Sequence, residues 1–186
     1  MQRSVMMTIG LAALVTAMAP SMAFSQSAQN EATIVTSEEI QTVAALGGDR
    51  EVKILDMGKF NLGVAVLRRG ATKPGPTIGV INHAKLTEVY YVTSGEGTIV
   101  TGSDIENVRP LAADNELVTT VVGPGANATL KKPAQSRKVK AGDVIIIPAG
   151  LYHGFSEVPD HIEYVLIRPD VDKVLPAGYV NPAVKK

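Results

Sequence analysis

The sequence predicts an all-β domain, a barrel or sandwich of short strands. Three observations carry this. Valine, isoleucine, glycine and proline are plentiful, whereas tryptophan is absent and aromatic residues are few. Short β-branched runs recur along most of the chain, separated by glycine- and proline-containing turns. Only one segment, near residue 40, carries a helical stripe of apolar residues. The 186 residues are enough for one domain with a real core. Lysine plus arginine equals aspartate plus glutamate at 18 each. No basic stripe for phosphates is visible, which argues against nucleic-acid binding.

Residues 1–25 read as a secretory signal. Arg3 supplies a positive start, and an apolar stretch from Val5 to Ala19 follows, interrupted by Thr8, Gly10 and Thr16. Ser21-Met22-Ala23 and Ala23-Phe24-Ser25 both offer the small residues that a signal peptidase reads. An uncleaved anchor fits less well, because the apolar run is short for a span of ~20 residues. The mature protein is therefore expected in the periplasm or secreted, free of the membrane after cleavage. The absence of cysteine agrees and rules out a disulfide or a lipoprotein anchor.

Residues 26–50 form a polar leader and one short helix. Thr36-Ser37-Glu38-Glu39 has the spacing of a capping box, Ile40, Val43 and Ala44 share a stripe, and Gly47-Gly48 stops the helix. From residue 51 the period changes to two. Val52 and Ile54 alternate with polar neighbours. Along residues 60–69, Val64, Val66 and Arg68 take one face, and Ala65, Leu67 and Arg69 the other. After a turn at 70–76, strands are predicted at 79–83, 88–93 and 97–101. A long polar connection spans 102–116, followed by strands at 117–122 and 128–130 with a glycine-rich turn between them. Residues 136–140 lead into the Gly142-Asp143 turn, and 144–147 form a fully apolar strand. The final strands are 153–156 and 162–168, separated by Pro159-Asp160, and residues 169–186 form a tail with a weak helical or turn segment at 171–175, otherwise loose.

The most informative stretch is 75–95. It sets His83 and Glu88 on two strand-like runs joined by a short turn. If the runs pair, an imidazole and a carboxylate converge, the start of a metal site. Gly75, Ile81, His83, Glu88 and Gly95 fall in the frame Gly, five residues, His-x-His, three or four residues, Glu, six residues, Gly, with four between His83 and Glu88. Gly142, Pro148, Gly150, His153 and Glu157 fall in the frame Gly, five residues, Pro-x-Gly, two residues, His, three residues, Asn. In these two motifs the chain resembles the cupin superfamily of small jelly-roll β-barrels. The resemblance covers residues 51–168, which places the barrel there and the tail at 169–186. Two positions depart from the frames: Ile81 replaces a histidine and Glu157 replaces an asparagine.

Cupin metal centres draw on both histidines and the glutamate of the first motif and on the histidine of the second. The resemblance therefore implies His83, Glu88 and His153 as ligands of a divalent transition metal. Iron, manganese, zinc and nickel all suit two imidazoles and a carboxylate. The metal-free alternative leaves two polar histidines in an apolar barrel mouth and a costly buried glutamate. Tyr90 shares the strand face of Glu88 and is a candidate catalytic proton donor, or a ring that fills the barrel. Glu157 alternates with His153 and Phe155 and is a candidate fourth ligand, base or outer partner, or a rim residue. Lys85 and His161 read as solvated. Arg68 and Arg69 end a strand on opposite faces; an inward one would suit a carboxylate, and the commoner alternative is an exposed strand-end arginine.

Three functions follow from the resemblance. The first is a metal-dependent enzyme acting on a small organic molecule, by dioxygenase-like or by Lewis-acid isomerase or lyase chemistry. The second is a periplasmic small-molecule-binding module without turnover. The third is a metal-free sugar epimerase-like enzyme using a histidine and a tyrosine. Cupins commonly pair through their barrels, so a homodimer is expected.

Overall fold

The computed structural model describes residues 31–184. The predicted signal, residues 1–25, lies outside them. The helix α1, Ser37–Ala44, begins as its sequence requires. Thr36 Oγ1 accepts from the Glu39 backbone N–H at 3.2 Å, and Glu39 Oε2 accepts from the Thr36 N–H at 3.0 Å. Its apolar stripe places Val43 and Ala44 on Val52 and Val66 of the sheet beneath.

Nine strands follow among the described residues: β1 (Gly48–Asp56), β2 (Asn61–Thr72), β3 (Ile78–His83), β4 (Glu88–Gly102), β5 (Asp104–Pro110), β6 (Gly125–Lys132), β7 (Gln135–Lys140), β8 (Val144–Ile147) and β9 (Tyr152–Asp170). All pair antiparallel, in the order β1-β2-β9-β3-β6-β5, while β4 lies against β7, β8 and β9. The two longest strands run side by side, with Val89 opposite Ile167 at one end and Thr101 opposite His153 at the other. A straight β4 would separate Glu88 from Thr101 by about 43 Å. The side chains of Glu88 and His153 nevertheless meet at 3.3 Å. The ladder is therefore strongly rolled, and the roll brings its two ends together. Bulges in β4, at Val92/Ser94 and Gly95/Thr98, supply local bends. The interior is filled by Val92, Ile99, Phe155, Ile162, Tyr164 and Leu166.

Four stretches differ from the sequence reading. Residues 88–93 and 97–101 form one strand, β4, because Gly95 turns the backbone at φ +72° without ending the ladder. Residues 153–156 and 162–168 are likewise one strand, and Pro159 falls where the β2–β9 register skips, so it interrupts no needed bond. The polar connection at 102–116 contains β5, an exposed strand pairing with β6 on one side. Residues 117–122, expected as a strand, hold a π-helical turn at Val118–Val122. Asn115 starts it, its carbonyl accepting from the N–H groups of Val118 and Thr119.

The tail turns directly after Asp170, as expected, but the rest of it is not loose. Asp170 accepts from the backbone N–H groups of Val174 and Leu175, and Leu175 is buried. Further on, Gly178 and Asn181 donate backbone N–H groups to Ile54 and Val52 of β1. The apolar strand at 144–147 is covered on one face only: Val144 and Ile146 are exposed beside Tyr91 of β4.

Candidate metal centre

His83 ends β3, Glu88 opens β4 and His153 stands near the start of β9. The turn before β9 is tied to the end of β3. Gly150, at φ +82°, donates its N–H to the His83 carbonyl at 2.8 Å, and Asn82 Nδ2 donates to the Gly150 carbonyl. This turn geometry favours glycine. It sets His153 beside His83, with ring centroids 5.3 Å apart. Glu88 lies beneath both rings. Its Oε2 is 3.3 Å from His83 Nε2 and 3.3 Å from His153 Nε2. All three residues are buried, and one ligand atom from each lies within 4.8 Å of the others.

The two carboxylate–imidazole distances have the spacing of donors around one ion. Two donors held at ~2.1 Å from one ion, at tetrahedral or octahedral angles, stand about 3.0–3.4 Å apart. Protonation points the same way. His153 Nδ1 lies 2.9 Å from the Leu151 carbonyl, which can only accept, so Nδ1 carries a proton. In the neutral ring Nε2 then turns a lone pair towards a carboxylate oxygen. Such a contact calls for a second ring proton or a cation between the two atoms.

Tyr90 joins the cluster. Its hydroxyl donates to Glu88 Oε2 at 2.7 Å and lies 3.1 Å from His153 Nε2. Burial, then the Glu88 charge, push the phenol pKa well above its ordinary value, so the hydroxyl stays protonated. Glu157 lies apart. It is half-buried opposite Thr98, belongs to neither the three-residue cluster nor the cavity wall, and gains no support as a ligand or base. His161 points to Asp160 and Ser94, and Lys85 pairs with Asp172 at the surface.

Sequence reasoning missed Arg168. This arginine, fully buried in β9, donates through Nε to Glu88 Oε1 and through Nη1 to Glu51 Oε1, each at 2.8 Å, and through Nη2 to Asp49. Burial alone would raise the Glu88 pKa, but Arg168 and then the two imidazoles outweigh it and hold the carboxyl well below its usual range. Glu51 behaves oppositely: burial outweighs Arg168 and pushes it up to about 7. Even with Glu51 protonated, two carboxylates face one guanidinium, so the floor of the site favours an added cation. A cavity of about 480 Å³ opens above, lined by His83, Tyr90 and His153 among others. Glu88 is not part of that lining, so a molecule in the cavity would meet the two imidazoles and Tyr90.

A family model described as Cupin matches residues 50–173. Among solved structures, the chain is similar to a Bacillus halodurans protein at 18% identity, covering 82% of this chain and 90% of that one, with a TM-score of 0.45. It is also similar to a conserved Klebsiella pneumoniae protein with a double-stranded β-helix domain, at 16% identity, 76% and 93% coverage and a TM-score of 0.42. A Thermotoga maritima protein described as a predicted oxalate decarboxylase matches at 17% identity, 74% and 98% coverage and a TM-score of 0.34. No curated protein matches. The family match extends over most of the rolled sheet and across both motif regions, and on that ground the chain belongs to the cupin family.

Proposed function

We propose that this protein is a metal-dependent enzyme that transforms a small organic molecule in the barrel cavity. His83, Glu88 and His153 would hold a divalent transition metal. The observation that carries the reading is His153, whose Nδ1 proton is engaged by the Leu151 carbonyl and whose Nε2 faces Glu88 Oε2 at 3.3 Å. A bound cation supplies Lewis-acid polarisation of a substrate carbonyl or carboxylate. The chain does the rest. Arg168 fixes Glu88 through Oε1 and leaves Oε2 to face the imidazoles. Tyr90 keeps a proton on its hydroxyl beside the cavity; that proton is given to Glu88 Oε2 here, and rotation of the hydroxyl away from Glu88 would offer it to a substrate oxygen that gains charge. Val80, Ile81 and Leu67 supply apolar wall that limits water. This arrangement favours isomerase or lyase chemistry, with oxygen-dependent chemistry as the other use of such a site.

One observation favours a metal-free reading: Tyr90 and His153 Nε2, at 3.1 Å, form an acid–base pair by themselves. Elemental analysis of protein purified without chelators separates the two. The expected result is close to one transition metal per chain, lost in His153→Ala and in His83→Ala. Equal metal content in wild type and both variants removes the assignment. Oxygen uptake with candidate catechols, thiols and keto acids then separates oxidative from Lewis-acid turnover.

A further inference from the structure

We infer that the cavity takes a small organic acid and that Arg69 of β2 receives its carboxylate. The proposal rests on the metal-dependent reading only for the inner end of the ligand, which would face His83, His153 and Tyr90. Arg69 lines the same cavity as those three residues. Its guanidinium carbon lies 5.6 Å from the centroid of the Phe155 ring, which gives the planar group a platform. Its Nε is buried and has no hydrogen-bond partner among the described residues. No carboxylate among the described residues lies within ion-pair distance of it; the buried ion pairs belong instead to Arg168, His83 and His153. A buried donor on a fixed cation, facing a cavity, is what a bidentate carboxylate completes.

The charges around it agree. Arg68 and Arg109 also line the cavity, and Asp49, the one acidic residue on its wall, is engaged by Arg168. The wall is therefore cationic, whereas the floor below the imidazoles is anionic. Stacked rings connect the two regions: Phe155 lies 6.0 Å from Tyr164, and Tyr164 lies 4.4 Å from Tyr90. A ligand lying along these rings needs a carboxylate at one end and an oxygen function at the other. This describes a short hydroxy acid, oxo acid or dicarboxylic acid, and the cavity size suits a molecule of that class.

The test is calorimetric titration of the purified protein with lactate, pyruvate and succinate and with the matching amides, alongside elemental analysis of the same samples. At least one acid is expected to bind tenfold or more tightly than its amide. Arg69→Gln should erase that preference and Arg69→Lys should keep part of it, with metal content unchanged and circular dichroism confirming the fold. Failure of every acid to outbind its amide, including binding of neither, overturns the proposal. So does an Arg69→Gln variant that keeps the preference. Metal-free protein that still prefers acids through Arg69 removes the metal assignment and leaves this one, and metal-loaded protein without the preference does the reverse.

Discussion

Replacing Arg168 with methionine removes the only guanidinium among the described residues that touches Asp49, Glu51 and Glu88. Methionine keeps much of the stem volume, so the loss is mainly electrostatic. Breaking a buried ion pair by removing one partner costs about 3–5 kcal/mol, because the remaining charge is left without compensation. Here three carboxylates share the partner, and Glu51, at about 7, is ionised above neutral pH. The deficit should therefore be largest near pH 8. In a domain of this size each kcal/mol moves Tm by about 2–4 °C, so a fall of about 6–20 °C is expected. Urea unfolding at pH 8, before and after chelation, measures it. If the proposed metal binds, the loss should be smaller with it in place, because a cation at that site would face the same Glu88 carboxylate. Arg168→Met combined with Glu88→Gln should cost less than the sum of the two single changes, since the second removes a charge stranded by the first. A single-variant loss under about 1 kcal/mol at pH 8 would refute the reasoning, because buried pairs broken on one side do not behave that way.

Three other expectations test the same network. Glu51 has a native pKa raised from 4.5 to about 7, so the folded state keeps a proton that the unfolded chain has lost, and stability falls as pH rises through that window. Glu51→Gln should abolish that fall, worth up to about 3 kcal/mol, and a wild-type-to-variant difference that is flat from pH 4.5 to 8 would contradict it. Gly95 sits at φ +72°, and a Cβ there would lie 2.0 Å from the His161 carbonyl oxygen. Gly95→Ala should therefore cost about 3 kcal/mol or more in denaturant unfolding. Tyr90→Phe removes one donor to Glu88 Oε2, so a loss of about 1–2 kcal/mol with metal content retained is expected from unfolding curves and elemental analysis.

The parts of this molecule legible in sequence are those set by local chemistry or by fixed spacing. The Thr36–Glu39 box declared the helix start, and the motif offsets marked His83, Glu88 and His153 before any strand was paired. What could not be read depends on long-range pairing. Arg168 looks like the polar end of a strand, and nothing near it in sequence reveals the three acids that meet it from β1 and β4. Residues 117–122 look like a strand because valine and threonine dominate, yet Val118, Val121 and Val122 are the buried ones, a helical spacing that was present to be weighed. β5 carries little apolar alternation because it is exposed along most of its length, and polar residues are how such strands avoid unwanted pairing. The tail's grip on β1 uses backbone groups and Asn181, which no periodicity announces.

The substitution at position 81 gains a physical meaning from Tyr90. Ile81 lies directly opposite His153 between β3 and β9 and lines the cavity, so the motif position that would supply another imidazole presents an apolar side chain. The additional polar contact at the cluster comes from β4 instead. Two residues beyond Glu88 and on the same strand face, Tyr90 places its hydroxyl against both Glu88 and His153. The exchange is not neutral. An imidazole offers a lone pair and would occupy a coordination position, whereas a phenol kept protonated by burial and by a neighbouring carboxylate offers a proton. Under the proposed metal site, three protein ligands and one donor would leave more room for substrate than four ligands do, with a proton beside it. On this argument, Ile81→His together with Tyr90→Phe should tighten metal binding while lowering turnover. A double variant that gains metal affinity and keeps full activity would show that the tyrosine proton is not used.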